Sequence, residues 1–314
     1  MAAIIIHSAG LLTTVQDLGR VGYQRFGMSV AGAMDTFSLR LANLLVGNEA
    51  NAACLETTIF GPEIIFAATG SIAICGADMR PCKNGKSIPN NKTIKVRMGD
   101  RLSFEGLLSG CRSYIAFAGG IDVPVIMGSR STYLRAKIGG FEGRSLKAGD
   151  KLHLGKAINK IQRRKIPSNE FHHLQPGQAI RVISGPEAER FGPEGFRHLL
   201  TSEYSVSAQS DRMGYRLSGP AMNTQAASAD IISAGMSFGT IQMPGNGQPI
   251  ILMADRPTTG GYARIANVAG VDLTLLAQLK PGDYIRFSEI SLAEAQGLYV
   301  NRQKLIERFA DDLA

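Results

Sequence analysis

The sequence predicts a mainly β protein, made of two barrel-like β domains in tandem with a few short helices. Three observations carry that expectation. Glycine supplies 36 of 314 residues without collagen periodicity, so the chain turns often. The apolar residues fall in short runs bounded by turn residues, as buried strands do. Strand–helix alternation is absent, which disfavours a doubly wound sheet. The length suits two domains and is ample for a sizeable core.

The elements follow in chain order. Asp35 is placed to cap a helix from Thr36 to Val46, with Phe37, Leu41, Leu44 and Leu45 on one face and Gly47 as its stop. Ile64 to Ala68 and Ser71 to Cys75 read as buried strands. Asp78 reads as a turn residue. Asn84-Gly-Lys-Ser87 resembles the end of a phosphate-binding loop. Arg80 stands where that motif requires glycine, so the segment reads as a hairpin turn. Tyr114 to Ala118 and Pro249 to Ala254 are further strands, closed by Gly119-Gly120 and by Asp255.

A Gly-Asp turn followed by an alternating strand recurs at Gly99–Phe104, Gly149–Leu154 and Gly282–Phe287. The recurrence suggests related β-barrel halves, although turn–strand units are common in any β protein. Asp272 can cap a short helix through Leu279, closed by Pro281-Gly282. Ser291-Leu-Ala-Glu294 fits a capping box. After it, Leu298, Leu305, Ile306, Phe309 and Leu313 form an apolar stripe interrupted by Gly297, fit to dock on the body or on a partner. The expected division is 1–160 for the N-terminal barrel half, 161–175 for a linker, 176–290 for the C-terminal half and 291–314 for a C-terminal helix.

Composition excludes several function classes. With 44% hydrophobic and 19% charged residues and a mean hydropathy of +0.01, the chain is not disordered as a whole. No apolar run reaches the length of a membrane helix, and the N-terminus lacks a basic signal region. The expected location is the cytoplasm, with no membrane partner. Cys54, Cys75, Cys82 and Cys111 show no C-x-x-C spacing and read as free thiols in a reducing compartment. The five histidines have no metal-ligand spacing, so no metal site is expected. The net charge of +8 is concentrated in residues 1–166, densest from Lys156 to Lys165. That stretch holds no aromatic residue for base stacking. It reads as a solvated linker, and no nucleic-acid partner is expected. The opposite signs of the two halves also allow a charged partner surface.

Three polar segments can carry chemistry. In the third, Ala254 to Tyr262, Asp255 and Arg256 emerge at a strand end. Arg256 offers a fork for carboxylate or phosphate. Asp255 can act as a general base or orient a nucleophile. Thr258 and Thr259 supply hydroxyls beside Tyr262. Gly260-Gly261 let a ligand approach the backbone, where successive N–H groups can hold an anion. The bland alternative is an Asp–Arg pair pinning a turn. In the second segment, Asp211-Arg212 repeats the pairing with Gln209 and Tyr215 near, or simply closes a loop with an ion pair. In the first, Val15 to Gly22 leading to Asp35, Asp17 and Arg20 can pair locally. There is no G-x-G-x-x-G after a strand, no G-x-S-x-G elbow and no Met-Lys-Met around a biotin-carrying lysine. The residues alone reach a β-rich protein with a carboxylate/guanidinium cleft.

Several stretches together resemble one family. They are Thr14–Tyr23, Gly32–Asn48, Ala118–Asp122, Gly128–Tyr133, Ser210–Leu217 and Asp255–Tyr262. The chain resembles the 5-oxoprolinase C-subunit group of the biotin-dependent carboxyltransferase family. That family includes allophanate-hydrolase-subunit-2-like proteins and an antagonist of a histidine-kinase inhibitor. Pro257 and Ala263 depart from the usual Gln and Pro. The resemblance implies cyclophilin-like β-barrels, a subunit-B-like partner and a third subunit. It implies ATP-dependent opening of the lactam 5-oxoproline to glutamate, with ATP used by the complex and its site not identified in this chain, and with no covalent biotin here. Within that activity, residue chemistry assigns Asp255 or Asp211 to acid–base work. Arg256, Arg212 and Arg20 fall to substrate binding, with Gln209, Thr258, Thr259, Gly260, Gly261 and Tyr262 around them. The same family allows carboxyl transfer from carboxybiotin to a urea-like amide, or non-catalytic regulation of a kinase inhibitor.

Overall fold

The computed structural model describes residues 2–157, 164–167, 179–222 and 230–312. The fold is mainly β, as the glycine-punctuated apolar runs predict. The chain divides into two compact units. Unit 1 comprises residues 1–21, 31–172 and 304–314; unit 2 comprises 22–30 and 173–303. Each unit therefore takes segments from separate parts of the chain.

Unit 1 contains β1 (Ala3–Ser8), β2 (Leu12–Gln16), α1 (Thr36–Leu45), β3 (Cys54–Thr58), β4 (Glu63–Phe66) and β5 (Gly70–Asp78). It continues with β6 (Pro81–Lys83), β7 (Lys86–Ser87), β8 (Ile94–Val96), β9 (Arg101–Phe104), β10 (Ser109–Phe117) and β11 (Lys151–His153). They form a six-stranded sheet, β11-β1-β4-β9-β6-β7, and a five-stranded sheet, β2-β3-β10-β5-β8. Strand periodicity explains the layering. On β10, Ile115 and Phe117 pack with Ile4 and Ile6 of β1 and Ile64 and Phe66 of β4. The alternate residues Tyr114 and Ala116 join Leu41 and Leu45 of α1. The five-stranded sheet is thus buried on both faces. Ile166, Ile306 and Phe309 complete the α1 side of that core.

Local chemistry sets the α1 boundaries. Asp35 Oδ1 accepts from Ser38 N at 3.0 Å, capping the first turn. Gly47, just past the helix, takes a positive φ of 74°. Asn84 and Gly85 lie in the left-handed region, with Lys83 opposite Lys86, so the expected hairpin forms between β6 and β7. Asp78 Oδ1 accepts from Arg80 N at 2.8 Å, holding its turn. Arg164, expected in a solvated linker, is buried, and its Nη1 donates to Leu44 O at the end of α1. A cation there meets the exposed helix carbonyls. Residues 161–163 and 168–175 of the expected linker lie outside the described residues.

Unit 2 contains β12 (Ile180–Ser184), α2 (Gly192–Thr201), β13 (Tyr204–Val206), β14 (Gly214–Ser218), β15 (Asp230–Gly235) and β16 (Thr240–Met243). Then come β17 (Ile250–Leu252), β18 (Thr259–Val268), α3 (Leu273–Ala277), β19 (Tyr284–Ile285), β20 (Phe287–Glu289) and the first part of α4 (Leu292–Asp312), whose residues from Lys304 onward belong to unit 1. The strand order is β19-β13-β14-β17-β16-β18-β12-β20, with β15 paired to β18 off this path. β19 and β20 are consecutive in sequence, separated by Arg286. The two ends of the order are therefore one segment of chain, and the sheet closes on itself as a barrel.

One helix expectation changes, and one helix was not foreseen. α3 ends at Ala277, and Asp272 makes no side-chain cap. Its carboxylate is taken by Arg181, whose Nε and Nη2 lie 3.0 and 2.5 Å from Oδ2 and Oδ1. α4 runs through Gly297 without a break. Its start is the expected capping box: Ser291 N donates to Glu294 Oε2 at 2.8 Å, and Glu294 N donates to Ser291 Oγ at 3.2 Å. The sequence pattern does not predict α2, because its glycines and proline mask a weak apolar face. No helix is long and apolar enough to cross a membrane.

Candidate functional site

The β14–β17 ladder brings the second and third polar segments together. Gly214 lies opposite Leu252. Beyond the paired strands, Met253 N donates to Met213 O at 2.9 Å and Asp255 N to Arg212 O at 2.8 Å. This register sets the side chains opposite each other. Arg212 Nε and Nη2 donate to Asp255 Oδ2 and Oδ1 at 3.0 and 2.9 Å, a bidentate pair. Both side chains are nearly sealed, 7% and 6% exposed. The two Asp-Arg dipeptides therefore pair crosswise, not internally. Asp255 is committed to Arg212. Asp211 is exposed, and its Oδ1 accepts from Met213 N and Gly214 N.

The crosswise pairing leaves Arg256 a different environment. Its Nε donates to Met236 O at 3.2 Å and its Nη1 to Met253 O at 3.5 Å. The guanidinium lies over the Phe238 ring, 5.6 Å from the centroid. Ser29 Oγ donates to the Arg256 carbonyl at 2.8 Å. Among the described residues Arg256 has no carboxylate partner. Burial pushes its pKa down to about 10, against a smaller opposing pull from Asp255. A half-buried guanidinium whose hydrogen bonds go to carbonyls is chemically suited to an incoming anion.

The rest of the third segment is strand, not loop. β18 begins at Thr259, and β15 lies alongside with Ala234 opposite Gly260 and Gly235 opposite Thr259. Gly260 and Gly261 do not adopt positive φ. Successive N–H groups of a strand point to opposite sides, so they do not converge into the expected anion nest. Gly260 instead admits Met236 and Gln242, which a Cβ would meet within 3.0 Å. Thr258 O accepts from Met236 N at 3.0 Å. Tyr262 is exposed on β18, and Gln209 is exposed ahead of β14. Sequence reading missed Ser29, Met236 and Phe238. The signal available for Phe238 was an isolated aromatic between Gly235 and Gly239.

In unit 1 the first polar segment is sewn to residues 129–132. The Asp17 carboxylate accepts from Gly19 N, Ser129 Oγ, Ser131 Oγ and Arg130 N. Arg20, 0% exposed, donates from Nη2 to Ser131 O. The expected local Asp17–Arg20 pair is replaced by this shared anchorage. Arg20 holds two segments together here and presents no surface to a ligand. Nearby, Tyr114 donates to buried Glu56 at 2.7 Å while accepting from Asp35 N at 2.7 Å. Burial and the Glu56 charge raise the Tyr114 pKa well above its ordinary value, so it stays a donor. Two cavities of unit 1, about 360 and 410 Å³, are lined by none of the expected site residues. Among the described residues no cluster of three or more His, Cys, Asp or Glu could hold a metal.

Comparison with known proteins adds four findings. A sequence model described as "Carboxyltransferase domain, subdomain A and B" matches residues 26–289. The chain is 41% identical over 302 residues to the 5-oxoprolinase C-subunit of Escherichia coli strain K12, covering 96% of each. The crystal structure of the K. lactis urea amidolyase superposes with a TM-score of 0.90 at 33% identity. That match covers 98% of this chain but 20% of the amidolyase. The crystal structure of TTHA0988 superposes with a TM-score of 0.83 at 34% identity, covering 92% of this chain and 55% of that one.

Proposed function

The chain belongs to the carboxyltransferase domain (subdomain A and B) family, and on that premise we propose that it is one component of an ATP-dependent 5-oxoprolinase. It acts with a subunit-B-like partner and a third subunit, in the cytoplasm. The observation that carries this reading is the end-to-end match to the 5-oxoprolinase C-subunit at 41% identity, against a match to one fifth of a urea amidolyase.

The reaction opens a lactam. Phosphoryl transfer from ATP to the lactam oxygen makes the ring carbon electrophilic. Water adds to that carbon, the ring nitrogen leaves with a proton, and a second water releases phosphate from the acyl group. The products are glutamate, ADP and phosphate. The substrate carries a carboxylate, and Arg256 is the guanidinium suited to receive it. Arg212 and Asp255 hold the strand ends that position Arg256. Asp211, exposed, is the carboxylate of these segments left for proton handling. ATP binding is assigned to the complex, since this sequence has no standard phosphate loop.

The test is reconstitution of the three subunits with glutamate release from 5-oxoproline as readout. Glutamate should appear only with ATP and only when this chain is present. In that assay Arg256→Ala should raise KM for 5-oxoproline at least about tenfold, with Arg256→Lys intermediate. An assembled complex without turnover would shift the reading to carboxyl transfer from carboxybiotin to a urea-like amide, the activity class of the family description.

A further inference from the structure

The turn from β15 to β16, Met236 to Gly239, is pinned along its length. Met236 N donates to Thr258 O at 3.0 Å. Gly239 N donates to Leu252 O of β17 at 2.8 Å, and Gly239 O accepts from Val268 N of β18 at 2.9 Å. Ser237 Oγ lies 2.9 Å from Thr240 Oγ1, which donates to Asn267 Oδ1 at 2.9 Å. Glycine is required at 239: its φ is +86°, and a Cβ would meet Leu273 at 2.9 Å. Phe238, half-buried, therefore stands on a turn tied to both β17 and β18.

This turn carries Arg256. Met236 O accepts from Arg256 Nε at 3.2 Å, and the guanidinium Cζ lies over the Phe238 ring, 5.6 Å from its centroid. Nη1 donates to Met253 O at 3.5 Å. Ser29 Oγ donates to the Arg256 carbonyl, and Pro257 restricts the Arg256 backbone toward extended conformations. With Nε engaged, Arg256 cannot offer the side-on fork that Arg212 gives to Asp255 through Nε and Nη2. Among the described residues Nη2 of Arg256 has no hydrogen-bond partner, and it is not sealed from solvent. The open part of the guanidinium is its end-on edge, where Nη1 and Nη2 each direct an N–H away from the side chain.

We propose that Phe238 is a positioning residue for substrate binding: its ring fixes the plane of the Arg256 guanidinium, so that the Nη1–Nη2 edge receives the substrate carboxylate end-on. This rests on the reading of Arg256 as the carboxylate-binding group. A bidentate pair needs both N–H groups and both carboxylate oxygens in one plane. A ring held against one face of the guanidinium keeps that plane, and its negative face attracts the cation. An aliphatic side chain fills the space without that attraction. The edge also selects the ligand. A carboxylate puts an acceptor opposite each N–H, whereas a carboxamide puts its own NH2 opposite one of them.

Equilibrium binding of 5-oxoproline to the assembled three-subunit complex, measured by calorimetry, tests the proposal, with the carboxamide of 5-oxoproline as second ligand. Phe238→Leu should weaken 5-oxoproline binding at least about threefold, and Phe238→Tyr should restore it. The carboxamide should bind more weakly, and alike to wild type and Phe238→Leu, which a collapsed site would not allow. In an Arg256→Ala background, Phe238→Leu should weaken 5-oxoproline binding no further, because its effect passes through the guanidinium. An undiminished effect of Phe238→Leu in that background overturns the positioning role and leaves Arg256 as the carboxylate-binding group. Equal weakening of both ligands by Phe238→Leu does the same. Unchanged binding in Arg256→Ala, or no binding of 5-oxoproline to the assembled complex, overturns the reading of Arg256 and the positioning role with it.

Discussion

Arg212 and Asp255 show how much a side chain's role depends on what the backbone sets across from it. Each is nearly sealed, and each neutralises the other with two hydrogen bonds. Removing one strands a buried charge, which costs about 3–5 kcal/mol. Asp255→Ala should therefore lower the urea midpoint sharply, whereas replacing both residues with apolar ones of similar volume should cost much less. The same commitment leaves Arg256 without a carboxylate partner among the described residues, as suits the substrate-binding role proposed for it. With its pKa near 10, the guanidinium loses charge as pH rises toward that value. KM for a carboxylate substrate should climb between pH 9 and 10, and the Arg256→Ala variant should lack that climb. The repeated Asp-Arg dipeptide was legible in the sequence as a place of interest. The crosswise partner was not, because a ladder 43 residues apart in sequence decides it.

Secondary elements were legible where their signals are local. The Asp35 cap and the Ser291/Glu294 box are interactions over three residues, and both form as read. Asp35→Ala should cost about 1 kcal/mol, rising toward about 2 because the cap is buried, measured as the loss in unfolding free energy. Asp272 shows the limit of such reading. The same residue type at the same position is diverted to Arg181, 91 residues away, and leaves α3 short. The Gly260-Gly261 pair marks another limit. Glycine signals a close approach, but only the register shows that the approaching groups are Met236 and Gln242. An exposed strand such as β15 has no alternation of buried and polar residues, so nothing in its pattern marked it as a strand.

At the scale of the whole molecule, mainly β was legible because apolar runs and turn residues are distributed along the entire chain. Electrostatics at this scale favour neutral pH. Arg144 holds Asp150 below the usual carboxylate range, Arg264 does the same to Glu187, and Asn84 and the Arg97 amide do so to Asp100. A depressed folded pKa stabilises the fold above the unfolded value and loses that contribution as pH falls through the folded one. Urea midpoints should be flat from pH 7 to 5 and fall steadily below about 4. How segments 22–30 and 304–314 are shared out was not legible, since no local signal reports which unit a segment joins. That sharing has a consequence for synthesis on the ribosome. The core of unit 1 includes Ile306 and Phe309, which emerge only after all of unit 2 has been translated. The first-made unit therefore waits, its α1 face unfilled, for residues made near the end, and a nascent chain stalled before Lys304 should remain open to protease there.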